Sequence, residues 1–370
     1  MFTNAKRIVI KVGSSLLTDE AAGCVRTEWL MALAEDIFEL TKQKKQVIVV
    51  TSGAVALGRM QLGLKQKSHL HLEEKQAAAA CGQIALSSAW SDALGHYNLK
   101  AAQLLLTADD SIERRRYLNA RNTLDTLLEL GAVPIINEND TVATAEIRFG
   151  DNDRLSARIT QMAGADLLVL LSDVDGLYTA NPGTNQDAKF IPEVCEITPE
   201  IEHMAGGSSS AVGTGGMTTK LGAAKIAMAA GCHMIIASGE SAHPVRALVN
   251  GGKCTRFVAS ESPLSARKHW IAGSIHPAGS VTIDAGAAGA LKTGKSLLPA
   301  GVTAIEGQFE RGDAVLIKDN NGAVIGKGLI AYAAEDAARI IGKKTQEIEN
   351  ILGFRGRNVL IHRDDMALDS

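Results

Sequence analysis

Short unbroken apolar runs alternate with longer amphipathic stretches along the first two thirds of the chain. Arg7 to Val12 contains Ile8, Val9 and Ile10 and gives way to Gly13-Ser14-Ser15, and Val47 to Val50 gives way to Thr51-Ser52-Gly53. Ala101 to Leu106, Val133 to Asn137, Asp166 to Leu171 and Met234 to Ala237 have the same form. Runs without polar alternation predict strands buried on both faces. Between them, Thr27 to Lys42 carries Trp29, Leu30, Leu33, Ile37 and Leu40 at helical spacing and ends in lysine. Helices are also predicted up to about Gly95, near Asn122 to Leu130, over Asp153 to Met162, and from Gly213-Thr-Gly-Gly-Met-Thr-Thr-Lys220 to Gly231. Buried strands separated by helices predict a mainly parallel sheet covered on both sides. In such sheets a ligand lies beyond the carboxyl ends of the strands. Lys11, Gly13, Ser52, Gly53, Asn137, Ser172 and Asp173 all sit at or just past such ends, so one crevice is expected to hold them.

The pattern changes after Phe257. Residues 261–277 are polar, with Pro263 and Pro277, and read as a linker after a domain spanning 1–260. From Ala278 the runs are short and alternating (Val281 to Asp284, Val302 to Glu306, Ala314 to Lys318, Val324 to Tyr332) and punctuated by glycine, which predicts a small β-rich domain over 278–356. Residues 357–370 are left as a tail.

Composition narrows the class. Aromatic residues make up only 4% against 46% hydrophobic, so the core must be aliphatic and alanine-rich. A net charge of -3 argues against a chain-wide role on nucleic acid or membrane surfaces. The five cysteines form no Cys-x-x-Cys pair and leave one over, which fits reduced thiols better than a disulfide framework or zinc. No apolar run approaches the length of a membrane span, and the N-terminus enters a strand-like run without a leader pattern, so a cytoplasmic protein is expected.

The Gly213 to Lys220 turn lacks the Walker A spacing. Its glycines, hydroxyls and helix start nevertheless suit a polyphosphate, with Lys220 adding a full charge; the plainer alternative is a glycine loop before a surface helix. Lys11 could neutralise phosphate oxygens or simply reach solvent from a strand end. Asn137-Glu-Asn-Asp140 and Gly150-Asp-Asn-Asp153 gather polar side chains beside a strand end and a helix start, although caps and turns use the same residues. Ser172-Asp173 and Gly176-Leu-Tyr-Thr could flank a nucleotide. His362-Arg363-Asp364 imitates a protein-kinase catalytic loop but lacks the required downstream Asn.

Taken in order, Lys11-Val-Gly-Ser-Ser, Thr51-Ser-Gly-Ala, Asn137-Glu-Asn-Asp140, Gly150-Asp-Asn-Asp153, Gly176-Leu-Tyr-Thr and Gly213 to Lys220 resemble the amino acid kinase family. Ser296-Leu-Leu-Pro-Ala-Gly301 with Arg311-Gly-Asp313 is similar to the PUA domain that many bacterial members carry. The resemblance implies an open αβα sandwich that uses ATP and Mg2+ to phosphorylate the γ-carboxylate of L-glutamate, the first step toward proline. It implies that Lys11 and Lys220 stabilise the transferring phosphoryl group and that Asp153 orients them. Ser52, Asn137, Asp140, Asp151 and Asn152 would line the glutamate site. Lys11, Ser172, Asp173, Thr214, Gly215, Gly216, Met217, Thr218, Thr219 and Lys220 would hold the nucleotide. Metal ligands stay unassigned. Feedback inhibition by proline and a homodimer or homotetramer are also implied. Aspartate, acetylglutamate, carbamate or UMP as the acceptor remains open. PUA domains elsewhere bind RNA, but nine basic and nine acidic residues over 278–356 leave no basic footprint, so RNA binding is not expected.

Overall fold

The computed structural model describes residues 1–19, 23–64, 70–144, 152–205, 216–273, 277–354 and 356–369. They form two compact units, Met1–Pro263 and Leu264–Ser370.

The first unit is built on an eight-stranded sheet. Its strands run in the order Glu193–Val194, Thr255–Phe257, His233–Ser238, Leu167–Ser172, Arg7–Val12, Gln46–Val50, Ala132–Glu138 and Lys100–Leu106. Every pairing is parallel except that of His233–Ser238 with Thr255–Phe257. The apolar runs of the central strands serve two cores at once. Ile8, Ile10 and Val12 pack with Trp29, Leu33 and Trp90 on one face, while Val9 packs with Leu124, Leu155 and Leu221 on the other. A one-residue slip would exchange the two sets, and each aliphatic side chain contributes roughly 1.5–3 kcal/mol on burial, so the register is firmly set. Helices Thr27–Lys42 and Leu72–Gly95 cover the first face; Arg114–Glu129, Asn152–Ala163 and Met217–Ala229 cover the second.

Helices Ala54–Gln61 and Leu72–Gly95 cross in close backbone contact. A Cβ at Gly58 would lie 1.7 Å from the Ala78 carbonyl oxygen, and one at Gly82 would lie 1.9 Å from that of Ala54. Only glycine fits at these two positions.

The second unit has a five-stranded sheet ordered Val302–Gly307, Gly279–Ile283, Ala314–Lys318, Val324–Ile330 and Ile361–Leu368. The segment read as a linker contains helix Pro263–Gly273, whose Ile271 is buried against Ala314 and Leu329. The segment read as a tail supplies the strand Ile361–Leu368, antiparallel to Val324–Ile330 and including His362-Arg363-Asp364. From Leu264 onward the first segment, like the second, therefore belongs to this unit. Arg267 and Asp365 tie them together at 2.6 Å.

Candidate active site

The carboxyl ends of four adjacent strands supply one end of the site. Leu167–Ser172, Arg7–Val12, Gln46–Val50 and Ala132–Glu138 are neighbours, so Ser172, Lys11, Ser52 and Asn137 follow one another across the sheet edge. Two helix starts supply the rest. Asn152 and Asp153 open helix Asn152–Ala163, and Lys220 lies in the first turn of Met217–Ala229.

Asp153 is the hinge of the charged part. Its Oδ1 is 2.6 Å from Lys11 Nζ and its Oδ2 is 3.2 Å from Lys220 Nζ. The Thr219 hydroxyl donates to the same Oδ2 at 3.0 Å. All three charged residues are buried, at 7% exposure for Lys11, 0% for Asp153 and 2% for Lys220. Burial pushes the Asp153 carboxyl upward, but Lys11, Lys220 and the Thr219 hydroxyl outweigh it and hold the group below its ordinary range. One carboxylate between two ammonium groups leaves a surplus positive charge in a dry setting. Such a surplus attracts phosphoryl oxygens far more strongly than it would in water.

Beside the charged triad lies a chain of side-chain amides. The Asn152 amide donates to the Thr51 carbonyl at 2.6 Å, to Ser52 Oγ at 2.7 Å and to Asn137 Oδ1 at 3.1 Å. The Asn137 amide in turn donates to Gln83 Oε1 at 2.8 Å. Ser52 is held in a turn by Gly53, whose φ of +110 a larger residue would adopt under strain, and Trp90 Nε1 donates to Thr51 Oγ1 at 3.1 Å beneath it. Asp140 lines a cavity of about 470 Å³ shared with Gln83, Ser87, Gln103 and Asn139.

On the other side of Lys11, Ser172 Oγ donates to Asp173 Oδ1 at 2.7 Å. The Gly176-Leu-Tyr segment that follows is pinned from below, because Leu177 N donates to the buried Thr255 hydroxyl at 2.7 Å. Gly216, Met217, Thr218 and Thr219 form the start of the Lys220 helix. Asp151, Thr214 and Gly215 lie outside the described residues, as does Gly150. The structure thus gathers Lys11, Lys220, Asp153 and Thr219 into one cluster and Ser52, Asn137 and Asn152 into a second. It adds Gln83, Trp90 and Thr255, which no motif in the sequence singled out.

A family model described as the amino acid kinase family matches residues 6–238, and one described as the PUA domain matches residues 279–352. The chain is similar to the glutamate 5-kinase of Paramagnetospirillum magneticum, with 60% identity over 99% of this chain and 98% of that one. It is similar to the glutamate 5-kinase of Bradyrhizobium diazoefficiens at 56% identity, covering 98% of this chain and 97% of that one. Among solved structures, carbamate kinase from Giardia lamblia bound to AMP-PNP shares the fold at a TM-score of 0.50 and 16% identity, over 70% of this chain and 100% of that one.

Proposed function

Because the chain belongs to the amino acid kinase family, we propose that it transfers the γ-phosphoryl group of ATP to the side-chain carboxylate of L-glutamate. The product is L-glutamyl 5-phosphate. The observation that carries this reading is the adjacency of Asn152 and Asp153 at one helix start. Asn152 joins the amide cluster and Asp153 joins the lysine cluster, so one turn of backbone links an acceptor end to a phosphoryl end.

The chemistry asks little else of the protein. A carboxylate is already a nucleophile near neutral pH, so no general base is required. The obstacle is the approach of two anions, which positioning and charge stabilisation overcome. Lys11 and Lys220 would take the charge that develops on the transferring phosphoryl oxygens, and Asp153 would keep both ammonium groups in place between turnovers. Ser52, Asn137, Asp140 and Asn152 would hold glutamate, and the family resemblance adds Asp151 to that set. Ser172, Asp173 and the segment Thr214 to Lys220 would hold the nucleotide.

Magnesium would enter with ATP. Both Asp153 oxygens are engaged by ammonium groups, and among the described residues no cluster of three or more His, Cys, Asp or Glu side chains could cage an ion. Asp173, exposed at a strand end, fits an ion carried chiefly by phosphate oxygens and water. The ion would neutralise charge on the β- and γ-phosphates, and Asp173 would steady it. Inhibition by proline, a homodimer or homotetramer and a cytoplasmic location belong to the same proposal. No described helix is long and apolar enough to cross a membrane.

The test is incubation with Mg-ATP and hydroxylamine plus one acid at a time, trapping any acyl phosphate as its hydroxamate. Hydroxamate with L-glutamate but not with aspartate or N-acetylglutamate is expected. Product with another acid alone would overturn the choice of substrate, and no product with any acid would overturn the reaction.

A further inference from the structure

We infer that Gln83 is a positioning residue for the acceptor substrate, acting through Asn137; this rests on the reading of the amide cluster as the glutamate site. Gln83 sits in helix Leu72–Gly95, one turn before Ser87, with its side chain between that helix and the end of strand Ala132–Glu138. Its two amide atoms have different partners. Oε1 accepts from Asn137 Nδ2 at 2.8 Å, and Nε2 donates to Ser87 Oγ at 3.2 Å. Ser87 Oγ also accepts from Gln103 Nε2, on the edge strand Lys100–Leu106. On the far side, Asn137 Oδ1 accepts from Asn152 Nδ2 at 3.1 Å and from the Glu138 peptide N–H at 2.9 Å. The hydrogen bonds therefore run from Asn152 through Asn137 and Gln83 to Ser87, where Gln103 donates from the other side, and every amide NH2 in the series meets an acceptor.

Direction is what Gln83 contributes. An amide is planar, so a hydrogen bond on one N–H fixes the line of the other. With one hydrogen of Asn137 Nδ2 on Gln83, the direction of the second is fixed as well, and that is the hydrogen a carboxylate acceptor would use. Without Gln83 the buried Asn137 NH2 loses its acceptor, and the amide is held through Oδ1 alone, by Asn152 and the Glu138 peptide N–H, on a torsion that is intrinsically broad. Gln83 need not touch the substrate to set its affinity.

The experiment compares Gln83→Met, which keeps the length and removes both hydrogen-bonding atoms, with Gln83→Glu, which keeps an acceptor for Asn137. The expected result for Gln83→Met is a glutamate KM raised about tenfold, the size of one lost hydrogen bond with a stranded partner, and an ATP KM changed by less than about twofold. Gln83→Glu should recover most of the glutamate KM. The proposal is overturned if Gln83→Met leaves the glutamate KM unchanged, if both KM values rise together with a lower melting temperature, or if Gln83→Glu is as impaired as Gln83→Met. Should the parent protein not phosphorylate glutamate at all, the functional reading fails on its own, and hydrogen exchange of the Asn137 side-chain amide decides the point. Faster exchange in Gln83→Met would sustain the positioning role, and equal exchange would remove it.

Discussion

Among the described residues of the first unit, two aspartates lie buried, and they respond to burial in opposite ways. Asp36, on helix Thr27–Lys42, is 2% exposed and accepts from the peptide N–H groups of Val245 and Arg246 at 3.0 Å each and meets His243 Nδ1 at 3.0 Å. The Arg246 guanidinium is 3.5 Å away but is engaged by Glu35 at 2.7 Å. Here burial dominates, and the carboxyl is raised despite those hydrogen bonds. Asp153 feels the same burial, but two ammonium groups reverse the outcome. Peptide donors satisfy a carboxylate without supplying net charge, and the one guanidinium nearby is shared with Glu35, so Asp36 docks helix Pro244–Val249 without leaving a surplus of charge. Two full charges overcompensate Asp153 and leave a surplus for a ligand. Depth of burial is thus no guide to function; the balance of charge around the buried group is.

The largest test of that contrast is Lys220→Ala, which should lower kcat by on the order of 10²- to 10³-fold while raising the glutamate KM far less. A change confined to KM would sink the assignment of Lys220 to the transition state. Next, Asp153→Asn leaves two buried ammonium groups without their counter-ion and should cost about 3–5 kcal/mol in denaturant unfolding, with reduced kcat. Asp36→Asn should cost roughly 1 kcal/mol and leave kcat as it is, since the two peptide donors carry no net charge and Arg246 keeps Glu35 as its counter-ion. If both variants lost the same stability and activity, the distinction drawn between the two sites would be wrong.

Acid titration of stability provides the finest test, because the signs differ. The folded pKa of Asp153 is depressed, so its stabilisation is present above the unfolded value of about 4 and is lost as pH falls through the folded value. The gap in stability between the parent and Asp153→Asn should therefore narrow below about pH 4. The folded pKa of Asp36 is raised, so its favourable contribution is fully present below about pH 4 and is lost as pH rises through the folded value. The parent should lose ground to Asp36→Asn on that upward leg. Parallel curves for the two pairs would show that the lysines do not control Asp153.

Most of the framework was legible because parallel strands advertise themselves. Ile8 to Ile10, Val47 to Val50 and Leu167 to Leu171 are apolar on consecutive positions, which only a sheet covered on both faces rewards. Lys11, Ser52, Asn137 and Ser172 could be placed at one edge because each directly ends or follows such a run. Pairing was legible only through the family resemblance, which implies that Asp153 orients Lys11 and Lys220. Nothing local says so, and nothing says that Asn152 bridges Ser52 and Asn137, since those contacts depend on how helices settle on the sheet. Gln83 was hidden in an alanine-rich helix whose polar positions look like solvent. Helix Pro263–Gly273 was masked by its polar composition, and Ile361–Leu368 by a His-Arg-Asp-Asp stretch that breaks alternation even though it completes a sheet.

The glycine crossing between helices Ala54–Gln61 and Leu72–Gly95 welds together the element that follows Ser52 and the element that carries Gln83. Neither helix can shift toward or away from its partner without losing backbone contact along the seam, so any adjustment around an acceptor must carry both as one body. A mutational screen for altered acceptor preference would then score Gly58 and Gly82 as though they touched the substrate. Substitutions there would displace Ser52 and Gln83 together, mimicking a loss of recognition through what is purely a matter of clearance.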